Sequence, residues 1–356
     1  LLDSYGWSDA LQHAFAIHSA NGLAPARVIV QQRGLYLVAT AEGEASARLS
    51  GRFAHAAADG DYPVAGDWVA AALRPQEASA TIHRLLPRRS AFVRKAVGGG
   101  TSQVVAANVD VAFLVTSLNA DLNPRRIERY LATAWDSGAS PVIVLTKADL
   151  CPGHERDALQ ARIEAVALGV PVHAVSAVTG EGLDRLRQCF APGRTAALLG
   201  SSGTGKSSLV NALAGAPLMA TRAISEHAAR GRHTTTHRQL VLLPDRRLVL
   251  DTPGMRELGL WEADAGVAAT FADIEALAGR CRFGDCAHEA EPGCAVQAAL
   301  ADGSLDAGRW RSWMKLQREL AHAARKDDPS ERAALRKVWI QRARHNRARK
   351  RHEDEA

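Results

Sequence analysis

The sequence predicts a multidomain chain: an all-β barrel, then an α/β unit on a mostly parallel sheet, then a smaller, mainly helical unit. Three observations predict it. Between Arg27 and Leu86, short β-type runs alternate with Gly, Asp and Pro turns. From Asn108 the pattern changes to strands alternating with helices. After Gly254 the sheet pattern stops, and a helical region follows that carries three cysteines and a histidine. A length of 356 residues agrees, because it exceeds one ordinary core. The expected divisions are an N-terminal extension (1–24), the barrel (25–95), a linker (96–107), the α/β domain (108–262), the helical domain (263–330) and a basic tail (331–356).

The barrel rests on five runs: "RVIVQQ", "LYLVAT", "ASARLS", "DWVAAAL" and "SATIHRLL". Five strands in about sixty residues suit an OB-type barrel, a fold that often binds oligonucleotides; an SH3-like barrel is the alternative. "RLLPRRSAFVRK" (84–95) follows with five basic residues and no acid, and "GGGTSQ" (98–103) reads as a flexible connector. In the α/β unit, "VDVAFLVTSL" and "PVIVLTKAD" are buried strands. "PRRIERYLATAWDS" is a helix capped by Asn123, opened by Pro124 and closed by Gly138. "ERDALQARIEAVALG" and "EGLDRLRQCF" are helical, with the strand "VPVHAVSA" between them, and "RTAALLG" is the strand that follows.

Charge is uneven. The net value is +6, yet residues 336–351 alone hold eight Lys/Arg and no acid; without them the chain has 36 basic and 38 acidic residues. The basic character is therefore a local tail. Eight like charges beside Trp339 suit a phosphate backbone, a solvated helix end being the alternative. Arg88, Arg89, Arg94 and Lys95, with Arg342, Arg344 and Arg347 of the tail, are the candidate RNA contacts. The longest apolar run falls far short of the ~18 residues that span a bilayer. No charged segment followed by an apolar one opens the chain. Five cysteines, three of them clustered, argue for a reducing compartment. A cytoplasmic monomer without membrane contact is expected.

The sharpest motif is "GSSGTGKSS". Gly200, Ser201, Ser202, Gly203, Thr204, Gly205, Lys206 and Ser207 give G-x-x-x-x-G-K-S between a strand and a helix, the context of a phosphate-binding loop, and Ser208 extends it. Backbone N–H groups there cradle phosphates at a helix N-terminus. Lys206 is expected on the β- and γ-phosphates and the Ser207 hydroxyl on Mg²⁺. Downstream, "DTPG" supplies Asp251 near the Mg²⁺ and Gly254, whose N–H faces the γ-phosphate. Between the two motifs, "GRHTTTH" offers Thr235 as a second Mg²⁺ hydroxyl and His233 as a group to orient water. His233 touching RNA or solvent is the alternative. Met255 stands where many GTPases carry a glutamine, so slow intrinsic hydrolysis is expected.

Base selection lies upstream. In "TKAD", Asp149 can accept from guanine N1 and N2, whereas adenine would leave that carboxylate unpaired. Lys147 packs along the base, with Ala148 between them. Thr146 stands where asparagine is commoner, and a weaker bracing of the loop is expected from it. Ser176 and Ala177 end a further strand, where an N–H can meet guanine O6. The order along the chain is thus base-reading loop, phosphate loop, threonine loop and D-T-P-G. An ordinary GTPase domain runs the same cycle from the phosphate loop onward. The domain is circularly permuted, a change that compact domains tolerate because their termini lie close together.

Cys281, Cys286, His288 and Cys294 form C-x₄-C-x-H-x₅-C. Three thiolates and an imidazole suit a closed, structural Zn²⁺ site, buried unliganded cysteines being the alternative.

On "TKAD", "GSSGTGKSS", "GRHTTTH", "DTPG" and "CRFGDCAHEAEPGC", the chain resembles the ribosome small subunit-dependent GTPase A family over roughly residues 25–325. The resemblance implies an OB-fold, a permuted G domain and a zinc-binding C-terminal domain. It also implies GTP hydrolysis stimulated by the 30S subunit and its 16S rRNA, and a role in late small-subunit maturation. An rRNA-binding module with a purely structural nucleotide site is the other reading.

Overall fold

The computed structural model describes residues 1–32, 34–57, 61–95, 102–119, 122–218, 238–251, 264–289 and 291–327. The barrel forms from β1 (Ala24–Gln32), β2 (Leu35–Ala39), β3 (Glu44–Leu49), β4 (Trp68–Arg74) and β5 (Ser79–Leu85), with helix α2 (Gly51–Ala56) between β3 and β4. Strand order is β1-β2-β3-β5-β4, and β4 closes back on β1, the connectivity of the expected OB-type barrel. Alternate residues point inward: Ala26 and Val28, Tyr36 and Val38, Ala45 and Ala47, Val69 and Ala71, Ala80 and Ile82. Small side chains at half of these positions let five strands close on a filled interior.

Strand β1 serves two sheets. Its first half (Ala24–Arg27) pairs with β4. After a register shift between Val28 and Val30, Val30 and Gln31 pair with Gln239 and Arg238 of β12 (Arg238–Leu242). The barrel thereby continues into the α/β sheet as one eleven-stranded sheet.

The α/β sheet comprises β8 (Val111–Ser117), β9 (Ser140–Thr146), β10 (Val172–Ala174), β11 (Thr195–Leu199), β12 and β13 (Leu248–Asp251), in the order β10-β9-β8-β11-β13-β12. All neighbours are parallel except β12 against β13. Strand β8 is buried along its whole length, as a central parallel strand must be. Helices α3 (Pro124–Ser137) and α4 (Gly153–Glu164) accompany the face carrying Leu114, Ile143 and Leu145; α5 (Leu183–Gln188) and α6 (Lys206–Ala214) cover the face carrying Phe113, Val115 and Val144. Asn123 caps α3 as expected, its side-chain Oδ1 accepting from the N–H groups of Arg125 and Arg126.

Two regions differ from expectation. The connector reading of 98–103 stops at Ser102, where strand β7 (Ser102–Ala107) begins and pairs with β6 (Ala91–Lys95). Residues 1–20, which show no readable pattern as sequence, include helix α1 (Asp9–Ser19), whose Leu11 and Phe15 join the main core. Trp7 packs edge-on against both Trp68 and Phe15.

The C-terminal unit is helical: α7 (Asp264–Thr270), α8 (Ala272–Ala278), α9 (Ala295–Ala301) and α10 (Ala307–Asp327). Its core includes Ala132 of α3 beside Val267, Phe271, Ile274 and Leu316, so the unit shares a core with the α/β domain. Gly266 makes this approach possible, because a Cβ there would overlap the Ala132 carbonyl. Buried Arg309 completes the seat. Its guanidinium pairs with Asp273 at 2.7 Å and with Glu128 of α3 at 3.2 Å, and donates to the carbonyls of Thr270 and Val166. Arg129–Glu319 and Arg125–Asp306, each at 2.6 Å, flank it. Among the described residues, no helix is long and apolar enough to cross a membrane.

The N-terminal segment, barrel, hairpin and α/β domain meet at Arg27. Its guanidinium is buried and donates to the carbonyls of Tyr5, Gly66 and Asn108 and to the Thr195 hydroxyl. Replacing it with leucine leaves four buried acceptors without this donor. Arg27→Leu is expected to lower stability by about 3 kcal/mol or more, seen as a lower urea midpoint. Arg27→Lys should recover only part of the loss, because an ammonium cannot span the same fork.

Candidate functional site

The carboxyl ends of the parallel strands β9, β10, β11 and β13 lie at one edge of the sheet, where α/β folds place ligands. Strand β11 runs directly into the loop Gly200–Gly205, and α6 begins at Lys206. Gly200 has φ +153°, and a Cβ there would overlap the Val115 carbonyl of β8, so only glycine lets the loop leave the sheet this way. The Lys206 ammonium curls back over the loop and donates to the carbonyls of Gly200 (2.7 Å) and Ser201 (2.5 Å). Thr204, buried, donates from its hydroxyl to the same Ser201 carbonyl at 3.0 Å. Ser202 and Gly203 are exposed at the rim, while Ser207 is half-buried and Ser208 exposed on the first turn of α6.

The loop containing Thr146 joins this one directly. The Thr146 hydroxyl lies 2.6 Å from the Thr204 carbonyl and 3.1 Å from the Thr116 carbonyl. The weak bracing expected of a threonine here is not what the structure shows. The side chain is buried, and its short reach suffices because β8 and β9 are adjacent strands. Lys147 then takes a left-handed conformation (φ +62°), which turns the chain into a 3₁₀ turn at Ala148–Leu150. Asp149 is exposed, and its carboxylate accepts from the hydroxyl of buried Ser176 at 2.6 Å. Ser176 also accepts from the N–H groups of Val178 and Thr179, which fixes the turn containing Ala177. The Ala148 N–H donates to the Val175 carbonyl, closing the two loops on each other.

The base-reading loop, the Ser176–Ala177 turn and the phosphate loop thus form one contiguous cluster. Asp251 ends β13, its backbone paired with Gln239. Thr235, His233, Gly254 and Met255 lie outside the described residues, as do Arg342, Arg344 and Arg347.

Two residues that the sequence did not single out touch this cluster. Arg126 of α3 donates to the Ser201 hydroxyl at 2.9 Å, and the Tyr130 hydroxyl lies 3.5 Å from the same oxygen. In the sequence they read as ordinary positions of an amphipathic helix, and nothing there shows that the helix faces the loop.

Cys281, Cys286, His288 and Cys294 offer four ligand atoms, all within 4.8 Å of one another. The Cys281 and Cys294 sulfurs are 3.8 Å apart, and each lies 3.5 Å from His288 Nδ1. Sulfurs on a tetrahedral Zn²⁺, each about 2.3 Å from it, are separated by about 3.8 Å, so the donor set fits such an ion. The surrounding groups hold the ligands in place. Gln297 donates to the His288 carbonyl, and the Glu291 carboxylate accepts from the N–H groups of Ala287 and Glu289. Cys294 caps α9, its sulfur accepting from the Gln297 N–H.

The basic residues divide. Arg88 donates to buried Asp67 through two bonds of 2.9 and 2.8 Å, which ties its guanidinium to the barrel. Arg89 lies 3.4 Å from Asp110 with its side chain 40% exposed. Arg94 stands on strand β6, where it donates to Gln103. Lys95 ends the same strand.

Comparison with known proteins agrees with this geometry. The family model described as RsgA GTPase matches residues 85–261. The small ribosomal subunit biogenesis GTPase RsgA of Opitutus terrae is 47% identical, with 98% of each chain covered. The protein of the same name from Syntrophotalea carbinolica is 46% identical over 89% of each chain. Among solved structures, YjeQ from Thermotoga maritima aligns with a TM-score of 0.65 at 26% identity, covering 84% of this chain and 99% of that one. YloQ, described as a circularly permuted GTPase, aligns at 0.62 with 25% identity, covering 84% and 96%. With near-complete coverage by such relatives, and with the permuted loop cluster in place, the chain belongs to the RsgA GTPase family.

Proposed function

We propose that this chain hydrolyses GTP on the small ribosomal subunit late in its maturation, slowly when alone and faster when that subunit is bound. One observation carries the nucleotide assignment: the Thr146 hydroxyl bonded to the Thr204 carbonyl. It holds the base-reading and phosphate loops at a fixed spacing although they are 58 residues apart in the chain. The names of the 47% and 46% identical relatives support the small subunit as partner.

In this reading the N–H groups from Ser202 to Ser207 and the Lys206 ammonium bind the phosphates. Asp149 accepts from guanine N1 and N2, the Ala177 N–H meets O6, and Lys147 lies along the ring. The Ser207 and Thr235 hydroxyls would hold Mg²⁺, neutral oxygen ligands of the kind a hard cation takes beside phosphates. When bound, that ion neutralises charge on the phosphate oxygens. The Asp251 carboxylate stands near the Mg²⁺, the Gly254 N–H meets the γ-phosphate, and His233 orients the attacking water. Met255 can neither donate nor accept usefully there, which leaves the site dependent on its partner. Arg89, Arg94 and Lys95, with Arg342, Arg344 and Arg347, contact rRNA phosphates in a salt-dependent way. The cysteine–histidine centre would hold a structural Zn²⁺ that stiffens the loop between α8 and α9.

GTP turnover measured alone, with 50S and with 30S subunits tests the assignment. Only 30S subunits should accelerate it, and groups supplied in trans are worth ~10³–10⁵ in such enzymes. Lys206→Ala should abolish both rates. Equal rates in all three conditions would overturn the dependence on the small subunit, and no turnover in any of them would leave only a nucleotide-holding RNA binder.

Thr146→Ala should weaken fluorescent GDP binding roughly tenfold, the effect of losing one buried hydrogen bond of about 1–1.5 kcal/mol. Thr146→Ser, which keeps the hydroxyl, should stay near wild type. An unchanged titration for the alanine variant would show that the loops do not depend on this bond.

Elemental analysis of protein purified without chelators should find about one zinc per chain. Cys286→Ala should lose the metal and loosen the C-terminal unit while nucleotide binding persists. A metal-free wild-type protein would remove the zinc assignment.

A further inference from the structure

Ser201 is a junction. Its carbonyl accepts from the Lys206 ammonium at 2.5 Å and from the Thr204 hydroxyl at 3.0 Å. Its own hydroxyl receives a bond of 2.9 Å from the Arg126 guanidinium, with the Tyr130 hydroxyl 3.5 Å away. Whatever holds the Ser201 side chain therefore sets the direction of the carbonyl that anchors Lys206.

Arg126 is well placed to hold it. It stands on the first turn of α3, where its N–H is capped by Asn123. The same helix is fixed from the other side by Glu128–Arg309, Arg125–Asp306 and Arg129–Glu319, and Gly266 of α7 packs on Ala132. The guanidinium thus projects toward the phosphate loop from a rod fixed at several points. It also brings a permanent positive charge within one side chain of the phosphate loop.

We propose that Arg126 is a positioning residue for GTP hydrolysis: through Ser201 it sets the placement of the Lys206 ammonium on the phosphates. The proposal rests on the reading of Lys206 as the phosphate-binding cation. Ground-state nucleotide binding draws on many backbone N–H groups. Lys206, by contrast, contributes most where charge grows on the transferring phosphoryl group. Loss of Arg126 should therefore appear in kcat more than in KM.

The test is a cycle of Arg126→Met, Ser201→Ala and the double variant, with Arg126→Lys and Lys206→Ala as companions. Each is assayed for GTP turnover on 30S subunits, for fluorescent GDP affinity and for thermal midpoint. Arg126→Met should lower kcat about tenfold while KM and GDP affinity change less than threefold and the thermal midpoint stays near wild type. Arg126→Lys should recover part of the rate. The double variant should be no slower than Ser201→Ala, because the arginine acts through that serine. Wild-type kcat in Arg126→Met, or a full additional loss in the double variant, overturns the positioning role while an inactive Lys206→Ala keeps the nucleotide site standing. A fully active Lys206→Ala overturns the underlying reading itself.

Discussion

The molecule depends on a buried cation. Arg27 lies where four pieces of chain converge, and each contributes an acceptor: the Tyr5 carbonyl from the N-terminal segment, Gly66 from the barrel, Asn108 from the end of the hairpin and the Thr195 hydroxyl from the start of β11. Burial pulls its pKa down to about 10, with Asp110 partly offsetting that pull, so the side chain remains charged at neutral pH. A charge without water is costly unless every donor is engaged. The stacked Trp68 ring, 5.3 Å from the guanidinium, adds a cation–π contact. Barrel and α/β domain are therefore tied at the base of the strand that leads into the phosphate loop. The β1–β12 pairing makes a second tie at the sheet's edge.

A second set of ionic contacts acts at the opposite flank. Helix α3 lies between the C-terminal unit and the phosphate loop and contacts both. Burial pushes the Glu128 carboxyl up, and the adjacent Arg125 and Arg309 guanidiniums work against that shift. Burial acts on Asp273 in the same sense, but the Arg309 bond and charge outweigh it and hold that carboxyl below its usual value. The two carboxylates share one arginine, so the interface keeps a fixed register, which an apolar contact alone would specify less strictly. The circular cut places α3 early in the chain and the C-terminal unit after D-T-P-G, yet the shared core brings them together.

Much of the architecture was legible in the sequence. Short β-type runs between Gly, Asp and Pro turns marked the barrel, and the uninterrupted apolar runs of β8 and β9 marked buried strands. Asn123, Pro124 and Gly138 bounded α3 to the residue. The motifs proposed for base, phosphate and metal were readable because each is a local pattern whose chemistry fixes its spacing. Less legible were features formed by contacts distant in sequence. Ser102–Ala107 read as connector because a hairpin strand is defined by its partner. Arg88 read as a surface charge because its carboxylate partner, Asp67, lies 21 residues upstream.

The sequence by itself determined the inventory: a small barrel, a permuted nucleotide domain, a helical unit with three cysteines and a histidine, and the order in which they come. Those properties follow from local periodicity, capping and motif spacing, which act within a few turns of chain. The tertiary structure alone decided that Thr146 braces the phosphate loop, that Arg27 joins four segments, and that Arg126 faces Ser201 from a helix held by another unit. Each is a hydrogen bond between groups far apart along the chain, and its strength comes from burial. Burial is a property of the packed fold, and no single stretch of residues encodes it.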